Sequence, residues 1–530
     1  MRKNKFILFS PKFLSSNLDN LLKPKTFALF LFVLIFALGL KLTYQKTVSF
    51  GCFDDCANYS VGYFMTKGRA IYTEIPFNHQ PLMLYLSYLI QTILKPVSLT
   101  QLLLFHRFSL FIFSLLMGLL ILWRFRLSGF AFILFYELTK YYLFGERFLA
   151  ESFIVYPLVY LFGLMWHRLG GKNIFPIDYF LAGIFTWFVI FSATPYIPLA
   201  LILYILFLGW GLSRIKIVSL LLFSLLSLSI LSTISLPDYF FNIFTINSQT
   251  VGKSEISNNL LQDLGIIKSF GYPFVLFFGG VWNEFRVFLV VLDFIFLILL
   301  GLVMGFVKKR LIIGGLFILG LANIRVVIPG TIFYEGFHMI QWYGIFLMMI
   351  FLMAETIRPQ KYRRLVMISL VFTLALLMLP PGSYLRKGVD RHQEFMAGYG
   401  GYLATGEIIK ILAESQDTLF LDNNRHDIVY WLTNLNSPYK YSWYTWMMPD
   451  FKLYSEARSE MFKTDPPDFY YGFCMPGQNP AKNLPVDYAE LYFAGRPTCL
   501  YIRAEKIQKI AKEKWEKARG LQYSIDLPKP

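Results

Sequence analysis

The stretch TFALFLFVLIFALGLKLTY, residues 26–44, is followed closely by GCFDDCANYS, residues 51–60. The first stretch is almost entirely apolar and long enough to cross the roughly 30 Å hydrocarbon core of a bilayer as a helix. It predicts a retained first membrane span. The acidic pair Asp54 and Asp55 then stands where the chain leaves the membrane. Adjacent carboxylates repel each other, and capping a helix needs only one of them, so the pair is a candidate for chemistry.

The composition extends this reading to the whole chain of 530 residues, of which 56% are hydrophobic and 18% aromatic. Soluble domains are about 45–50% apolar. The excess lies in continuous apolar blocks, which predict a polytopic α-helical membrane protein. They exclude a membrane β-barrel, whose strands alternate apolar and polar residues. The formal net charge of +17 lies largely in short segments between the blocks. Such clusters indicate membrane topology, so no nucleic acid partner is expected.

Placing the basic clusters on the cytoplasmic side predicts about eleven spans, with residues 1–25 as a cytoplasmic N-terminus. The piece PLMLYLSYLIQTIL, residues 81–94, is too short to cross and is predicted to be a helix at the outer interface. The predicted spans are 26–44, 101–123, 127–144, 148–166, 177–195, 196–212, 217–236, 287–307, 311–328, 338–357 and 365–381.

The same assignment places three long segments outside: the first outer loop 45–100, residues 237–286, and residues 382–530. The last segment has a domain's length, and its alternating helix and strand patterns predict an extracytoplasmic α/β domain. All four cysteines fall on this outer side, which fits an oxidising compartment. Disulfides are therefore possible, with the pairing of Cys52, Cys56, Cys474 and Cys499 left open.

Ionisable and amide side chains gather at the outer ends of the spans and in the outer loops. Such groups are costly at membrane depth, so each is a candidate for function. Lys140 is instead expected to extend toward the lipid headgroups. Besides Asp54 and Asp55, the candidate site residues are His79, Gln80, Arg107, Glu146, Arg147, Glu151, Arg325, Glu335 and His338.

Residues 53–86 resemble the first external loop of the GT-C glycosyltransferases, which include protein mannosyltransferases and the aminoarabinose transferase of lipid A. The likeness rests on the ordered set of the acidic dipeptide, Gly68, Tyr72 and NHQPL at 78–82. GERFLAES at 145–152 and FYEGFHMIQWYGIF at 333–346 are similar to later outer segments of that family. DNNRHDIVYWLTNLNSPYKY at 422–441 is similar to its external domain.

The resemblance implies a catalytic membrane domain over residues 26–381 in a bacterial or archaeal plasma membrane. It implies an inverting-type transfer of a sugar from a polyprenyl-phosphate donor to a lipid, glycan or protein acceptor, without cofactor or metal. Asp54 would be the general base, and Asp55 would accept hydrogen bonds that hold the turn. Gln80 and Leu82 depart from the family's Lys-Pro-Pro pattern, so the phosphate ligand is sought among Arg147, Arg325 and His338.

Three alternatives stay open at this point. In a metal-dependent oligosaccharyltransferase of the same broad fold, the paired acids would hold a divalent cation. A lipid or glycan transporter would concentrate its polar residues mid-span, with broken spans in matching halves. A non-catalytic membrane scaffold would use its external domain to bind a partner. The residues name neither the sugar nor the acceptor.

Overall fold

The computed structural model describes most of the chain and is predominantly helical. The described residues are 24–52, 54–211, 213–251, 284–305, 307–323, 336–357, 360–422, 427–443, 451–472, 484–493, 496–521 and 525–526.

Fourteen of the described helices precede the C-terminal sheet. They are α1 Pro24–Lys46, α2 Asp54–Thr66, α3 Pro81–Leu94, α4 Leu99–Thr139, α5 Ala150–Gly170, α6 Pro176–Ile190, α7 Ile197–Leu208, α8 Arg214–Leu231, α9 Leu236–Phe240, α10 Glu284–Val303, α11 Lys309–Ala322, α12 Ile340–Thr356, α13 Gln360–Met378 and α14 Arg391–Leu412. Short 3₁₀ turns lie at Lys140–Leu143 and Thr194–Tyr196, and a π-helix spans Phe241–Val251.

A helix lies at each predicted span. The expected break between spans 101–123 and 127–144 falls at Arg126, whose φ of 50° and ψ of −116° interrupt α4. Five helical segments of the described chain are long and apolar enough to cross a membrane, namely Leu29–Lys46, Leu99–Leu143, Ala150–Gly170, Arg214–Leu231 and Glu284–Val303. The chain is thus an integral membrane protein, while the full count of eleven crossings stays a prediction. The short helix predicted at 81–94 is α3, with proline at its first position.

The C-terminal part forms a small α/β unit, as its alternating pattern predicts. Its five strands are ordered β1-β2-β4-β3-β5, with β1 and β2 parallel and the other neighbours antiparallel. The strands are β1 Leu419–Leu421, β2 Phe469–Tyr471, β3 Tyr488–Phe493, β4 Arg496–Arg503 and β5 Ile525–Asp526. The helices are α15 Ile428–Thr433, α16 Lys452–Thr464, α17 Ala504–Lys509 and α18 Lys512–Arg519. The stretch EKIQKIAKEKWEKARG at 505–520, whose pattern predicts one amphipathic helix, forms two short helices instead.

The first outer loop packs directly against this C-terminal unit. Phe64 of α2 stacks on Trp443 with ring centroids 5.4 Å apart, and both belong to one apolar core with the strands. Gly51, at a φ of +66°, lies so close to Gly398 of α14 that an added Cβ would come within 2.6 Å of its carbonyl oxygen. Only glycine combines that conformation with that approach.

Residues 238–247 complete the same face of the molecule. The carboxylate of Asp238 accepts a hydrogen bond from Thr73 at 2.7 Å, and the side chain of Asn242 accepts one from the amide of Phe77 at 2.8 Å. The three segments assigned to the outer side thus meet in one packed unit. Basic clusters of the predicted cytoplasmic side also converge, since Arg124 reaches the Asn173 carbonyl and Lys172 pairs with Glu355.

We expect the three packed segments to lie on the outer side of the membrane and the basic clusters to lie on the cytoplasmic side. A cysteine at exposed Lys387, after α13, should react with an impermeant maleimide in intact cells or right-side-out vesicles. A cysteine at exposed Lys361, in the first turn of α13, should react only after permeabilisation. The measurement is labelling of each single variant in a background without the native cysteines. Labelling of the first position only after permeabilisation would contradict the proposed topology.

Candidate active site

The acidic pair begins α2, directly behind the first membrane helix. Asp54 is the first residue of that helix and is half-buried, whereas Asp55 is completely buried. A disulfide between Cys52 and Cys56 brackets the pair. Cys499 is disulfide-bonded as well, and Cys474 lies outside the described residues. The loop that carries the acids is thus covalently closed.

Removing the Cys52–Cys56 bond is expected to lower the free energy of unfolding modestly. The bond joins residues only four positions apart. Closing so small a loop removes little entropy from the unfolded chain, about 2 kcal/mol in the loop-closure account. The test is the Cys52→Ser/Cys56→Ser double variant in detergent, because a reductant would also attack the bond of Cys499. An unchanged unfolding midpoint would show that the bond does not hold the loop.

Asp55 lies between two arginines that come from different helical segments. Arg107 of α4 donates to its Oδ2 at 3.0 Å, and Arg147, in the segment before α5, donates to its Oδ1 at 3.0 Å and Oδ2 at 3.1 Å. The amide of Cys56 and the hydroxyl of Tyr59 donate as well. The carboxylate is therefore saturated with donors.

The two arginines also tie the loop to its surroundings. Arg107 donates to the carbonyls of Lys46 at 2.8 Å and Thr47 at 2.7 Å, and Arg147 donates to the carbonyl of Gly51. Both side chains are only 1% exposed. Their hydrogen bonds lie inside the protein, and the buried Nε of Arg107 has no hydrogen-bond partner in the described part of the chain. That these two arginines bind substrate therefore stays a prediction.

The charge of Asp55 is fixed by this environment. Burial acts to raise its pKa, but the positive charges of Arg147 and Arg107 outweigh burial and hold the pKa below the ordinary aspartate value. A divalent cation does not fit the Asp54–Asp55 pair, since it would compete with two guanidinium groups for Asp55. Across the described ranges, no three His, Cys, Asp or Glu side chains come together as metal ligands.

A second carboxylate, Glu146, lies buried beside the same cations. Burial raises its pKa, although Arg107, Arg147 and Lys46 oppose the shift. Lys46 ends α1 and lies over the ring of Tyr384, 4.1 Å from its centroid. The C-terminal end of the first membrane helix therefore carries a shielded ammonium group next to the acidic loop.

His79 and Gln80 lie farther along the outer loop and serve its packing. Gln80 is buried, donates to Thr194 at 3.0 Å and accepts from Tyr239 at 3.0 Å. The half-buried ring of His79 meets Phe77 edge-on, and its carbonyl accepts from Tyr72. These contacts hold the loop against the segments after α6 and α8.

Glu151 and His338 belong to a third group, at the starts of α5 and α12. The carbonyl of Glu151 accepts from Gln341, and the carbonyl of His338 accepts from Tyr196 at 3.3 Å. Arg325 and Glu335 lie outside the described residues. The structure thus brings Asp54, Asp55, Arg107, Glu146 and Arg147 together and leaves the other described candidates in separate contacts.

The expectation for Lys140 is wrong. Its ammonium is 1% exposed and pairs with Glu137 at 2.6 Å, and Tyr156 also donates to Glu137. Glu137 lies one helical turn earlier, so a buried partner holds the lysine away from the headgroups.

Sequence reasoning missed three residues around the acidic loop. Lys46 had a visible signal, a cation at the outer end of a span. Tyr399 of α14 donates a hydrogen bond to the Gly51 carbonyl at 2.9 Å and accepts one from Arg107. No local sequence pattern predicts these contacts. Asp427 precedes α15 and interacts electrostatically with Asp54. Its stretch, 422–441, carried only the general likeness to an external domain.

Comparison with known proteins identifies the fold. The structure matches ArnT from Cupriavidus metallidurans in the apo state with a TM-score of 0.54 and 11% identity, covering 89% of this chain and 97% of that one. The same enzyme bound to undecaprenyl phosphate matches with a TM-score of 0.52 and 12% identity, over the same shares of both chains. No protein-family profile and no curated protein sequence matches. The chain therefore has the fold seen in these two ArnT structures.

Proposed function

We propose that this chain transfers a sugar from a polyprenyl-phosphate donor to an acceptor hydroxyl or amine at the outer face of the membrane. Its fold is shared with ArnT, which has been solved with undecaprenyl phosphate bound. A fold alone hosts many activities, so the site must carry the argument. The carrying observation is the half-buried carboxylate of Asp54, placed behind the first membrane helix beside a neighbour whose charge is already neutralised.

The chemistry is a single displacement at the anomeric carbon. The acceptor oxygen or nitrogen forms a bond to that carbon while its proton passes to Asp54. The bond from the anomeric carbon to the phosphate oxygen breaks, and polyprenyl phosphate leaves with the electron pair. Attack opposite the leaving group inverts the configuration. General-base catalysis of this kind contributes about 10²–10⁴ in rate.

A cation is needed where negative charge grows on the departing phosphate. The guanidinium groups of Arg107 and Arg147 are buried and donate to Asp55 and to backbone carbonyls. Lys46 is the better placed cation, because it ends the membrane helix next to the loop and lies near Glu146. A lipid tail among the spans would bring its phosphate to this level.

The proposal includes the topology. The C-terminal domain, residues 382–530, lies outside the membrane with the first outer loop, and residues 1–25 lie in the cytoplasm. The packing of Phe64 on Trp443 supports a shared side for the loop and the domain. Sugars carried on polyprenyl phosphate are suited to such a compartment, since the lipid delivers them without a nucleotide.

The test is release of polyprenyl phosphate from a panel of polyprenyl-phosphate sugars by membranes containing the full chain. The panel includes a neutral hexose, a pentose and an amino sugar, and the membranes supply the acceptor. We expect release from at least one donor, with or without a chelator. Release abolished by the chelator and restored by a divalent cation would favour the metal-dependent alternative. No release from any donor would contradict the proposal.

A further inference from the structure

A carboxyl group from the C-terminal domain reaches the same end of α2 as Asp54. Asp427 immediately precedes α15, which packs against α2 and α14. Ile428 shares an apolar cluster with Cys56 and Tyr59. At the other end of α15, Asn434 accepts hydrogen bonds from Tyr63 at 2.9 Å and Lys67 at 2.7 Å. The two helices therefore lie side by side with their N-termini at the same end.

Asp427 is an unusual buried acid. It is 7% exposed, and its Oδ2 has no hydrogen-bond partner in the described part of the chain. An unsatisfied buried polar atom costs stability and calls for a reason. Burial raises the pKa of Asp427 to about 7, and the charge of Asp54 adds to that rise against two backbone amide donors. The carboxyl of Asp427 therefore changes its charge close to neutral pH.

Other ionisable groups on the neighbouring elements do not account for the raised pKa of Asp427. On α2, Asp55 is neutralised by its arginines, and burial keeps the hydroxyls of Tyr59 and Tyr63 uncharged by raising their pKa. On α14, the ionisable side chains point elsewhere. Arg391 lies over Tyr44, Tyr399 bonds to Gly51, Glu394 acts on Lys46, and His392, Glu407 and Lys410 are exposed.

We propose that Asp54 and Asp427 form a carboxyl pair across the boundary between the first outer loop and the C-terminal domain. In this pair Asp427 is a positioning residue that sets the basicity of Asp54. The inference rests on the proposed function and deepens it. The acceptor loses its proton to Asp54, the pair shares that one proton, and water takes it after the product leaves. Two coupled carboxyls titrate as one unit rather than independently.

The sign of the effect follows from like charges. An ionised Asp427 raises the pKa of Asp54, because a second negative charge nearby disfavours ionisation. The pKa of Asp427 is about 7, so this charge is present only near and above neutral pH. Asp427→Asn removes it there and makes Asp54 a weaker base, which removes the acceptor proton more slowly. Transfer by Asp427→Asn should therefore be slower than transfer by wild type above pH 7, by about tenfold at most, and similar below pH 6.

The direct test measures protonation without requiring transfer. Dicyclohexylcarbodiimide reacts with protonated carboxyls, so its attachment to Asp427 can be followed against pH by fragment mass spectrometry of the full chain in membranes. Asp54 is ionised at the pH where Asp427 titrates, so we expect Asp54→Asn to lower the pH of half-labelling of Asp427, by up to about one unit. Asp465→Asn, at an exposed position of the same domain, should leave it unchanged. An unchanged value in Asp54→Asn would overturn the pair.

The transfer profile separates this inference from the function on which it rests. If wild type releases polyprenyl phosphate and Asp427→Asn keeps both the wild-type rate and profile, the pair is refuted while the transferase stands. If wild type releases none from any donor but the labelling shift is present, the pair stands and the transferase fails. A labelling shift of Asp427 together with slower transfer by Asp427→Asn above pH 7 supports both.

Discussion

Replacing Asp54 with asparagine is expected to remove nearly all sugar transfer. Asparagine keeps the size and position of the side chain at the start of α2 but cannot accept the acceptor's proton. Loss of a general base typically costs about 10²–10⁴ in rate. Because Asp54 is half-buried, unfolding and lipid binding should stay near normal. The measurement is initial transfer rate at saturating donor, with thermal unfolding of the purified variant beside it.

Asp55→Asn is the matched comparison, since it removes a carboxylate from the adjacent position. It should affect the chemistry less and stability more. If Asp54→Asn retains transfer while a folded Asp55→Asn loses it, the roles of the two acids are reversed. If neither variant loses transfer, the glycosyltransferase proposal itself fails.

The second large effect is on stability, in Asp55→Asn itself. Arg107 and Arg147 would keep their charges in a buried site without the carboxylate that neutralises them. Breaking a buried ion pair by removing one partner costs about 3–5 kcal/mol. We expect a loss of that order in the free energy of unfolding in detergent. Glu456→Gln, which breaks an exposed pair with Lys452, should change unfolding little.

The pH dependence of that loss has a definite sign. The pKa of Asp55 lies below its unfolded value, so its stabilising contribution is present above the ordinary aspartate pKa and disappears as pH falls through the folded value. Wild type and Asp55→Asn should therefore differ most at neutral pH and converge in strong acid. A difference that grows on acidification would contradict the assignment of the ionised form.

Local patterns in the sequence predicted where helices lie. The helix at 81–94 and the break between the segments 101–123 and 127–144 both follow from length, apolar content and the position of basic residues. Such features depend on neighbours within a few turns. The small C-terminal sheet followed from the same kind of alternation.

The partners of the site residues were not predictable in this way. Asp55 meets Arg107 and Arg147 across 52 and 92 positions of sequence, and Tyr399 reaches Gly51 across 348. These contacts depend on how distant helices pack, which one sequence does not specify residue by residue. The same limit explains why Arg147, predicted as a phosphate ligand, and Arg107, predicted as a site residue, donate to an internal carboxylate. It also explains why Asp427 was not among the predicted site residues.

The central claim is that the chain moves a sugar off a polyprenyl phosphate, and a doubly labelled donor tests it most directly. The donor carries ³H in the sugar and ¹⁴C in the lipid and is supplied to membranes containing wild type or Asp54→Asn. The account predicts that wild type separates the labels, with ³H on the acceptor and ¹⁴C remaining as polyprenyl phosphate, while Asp54→Asn leaves them together. Labels that stay together in wild type, whether in place or moved jointly across the membrane, would contradict it.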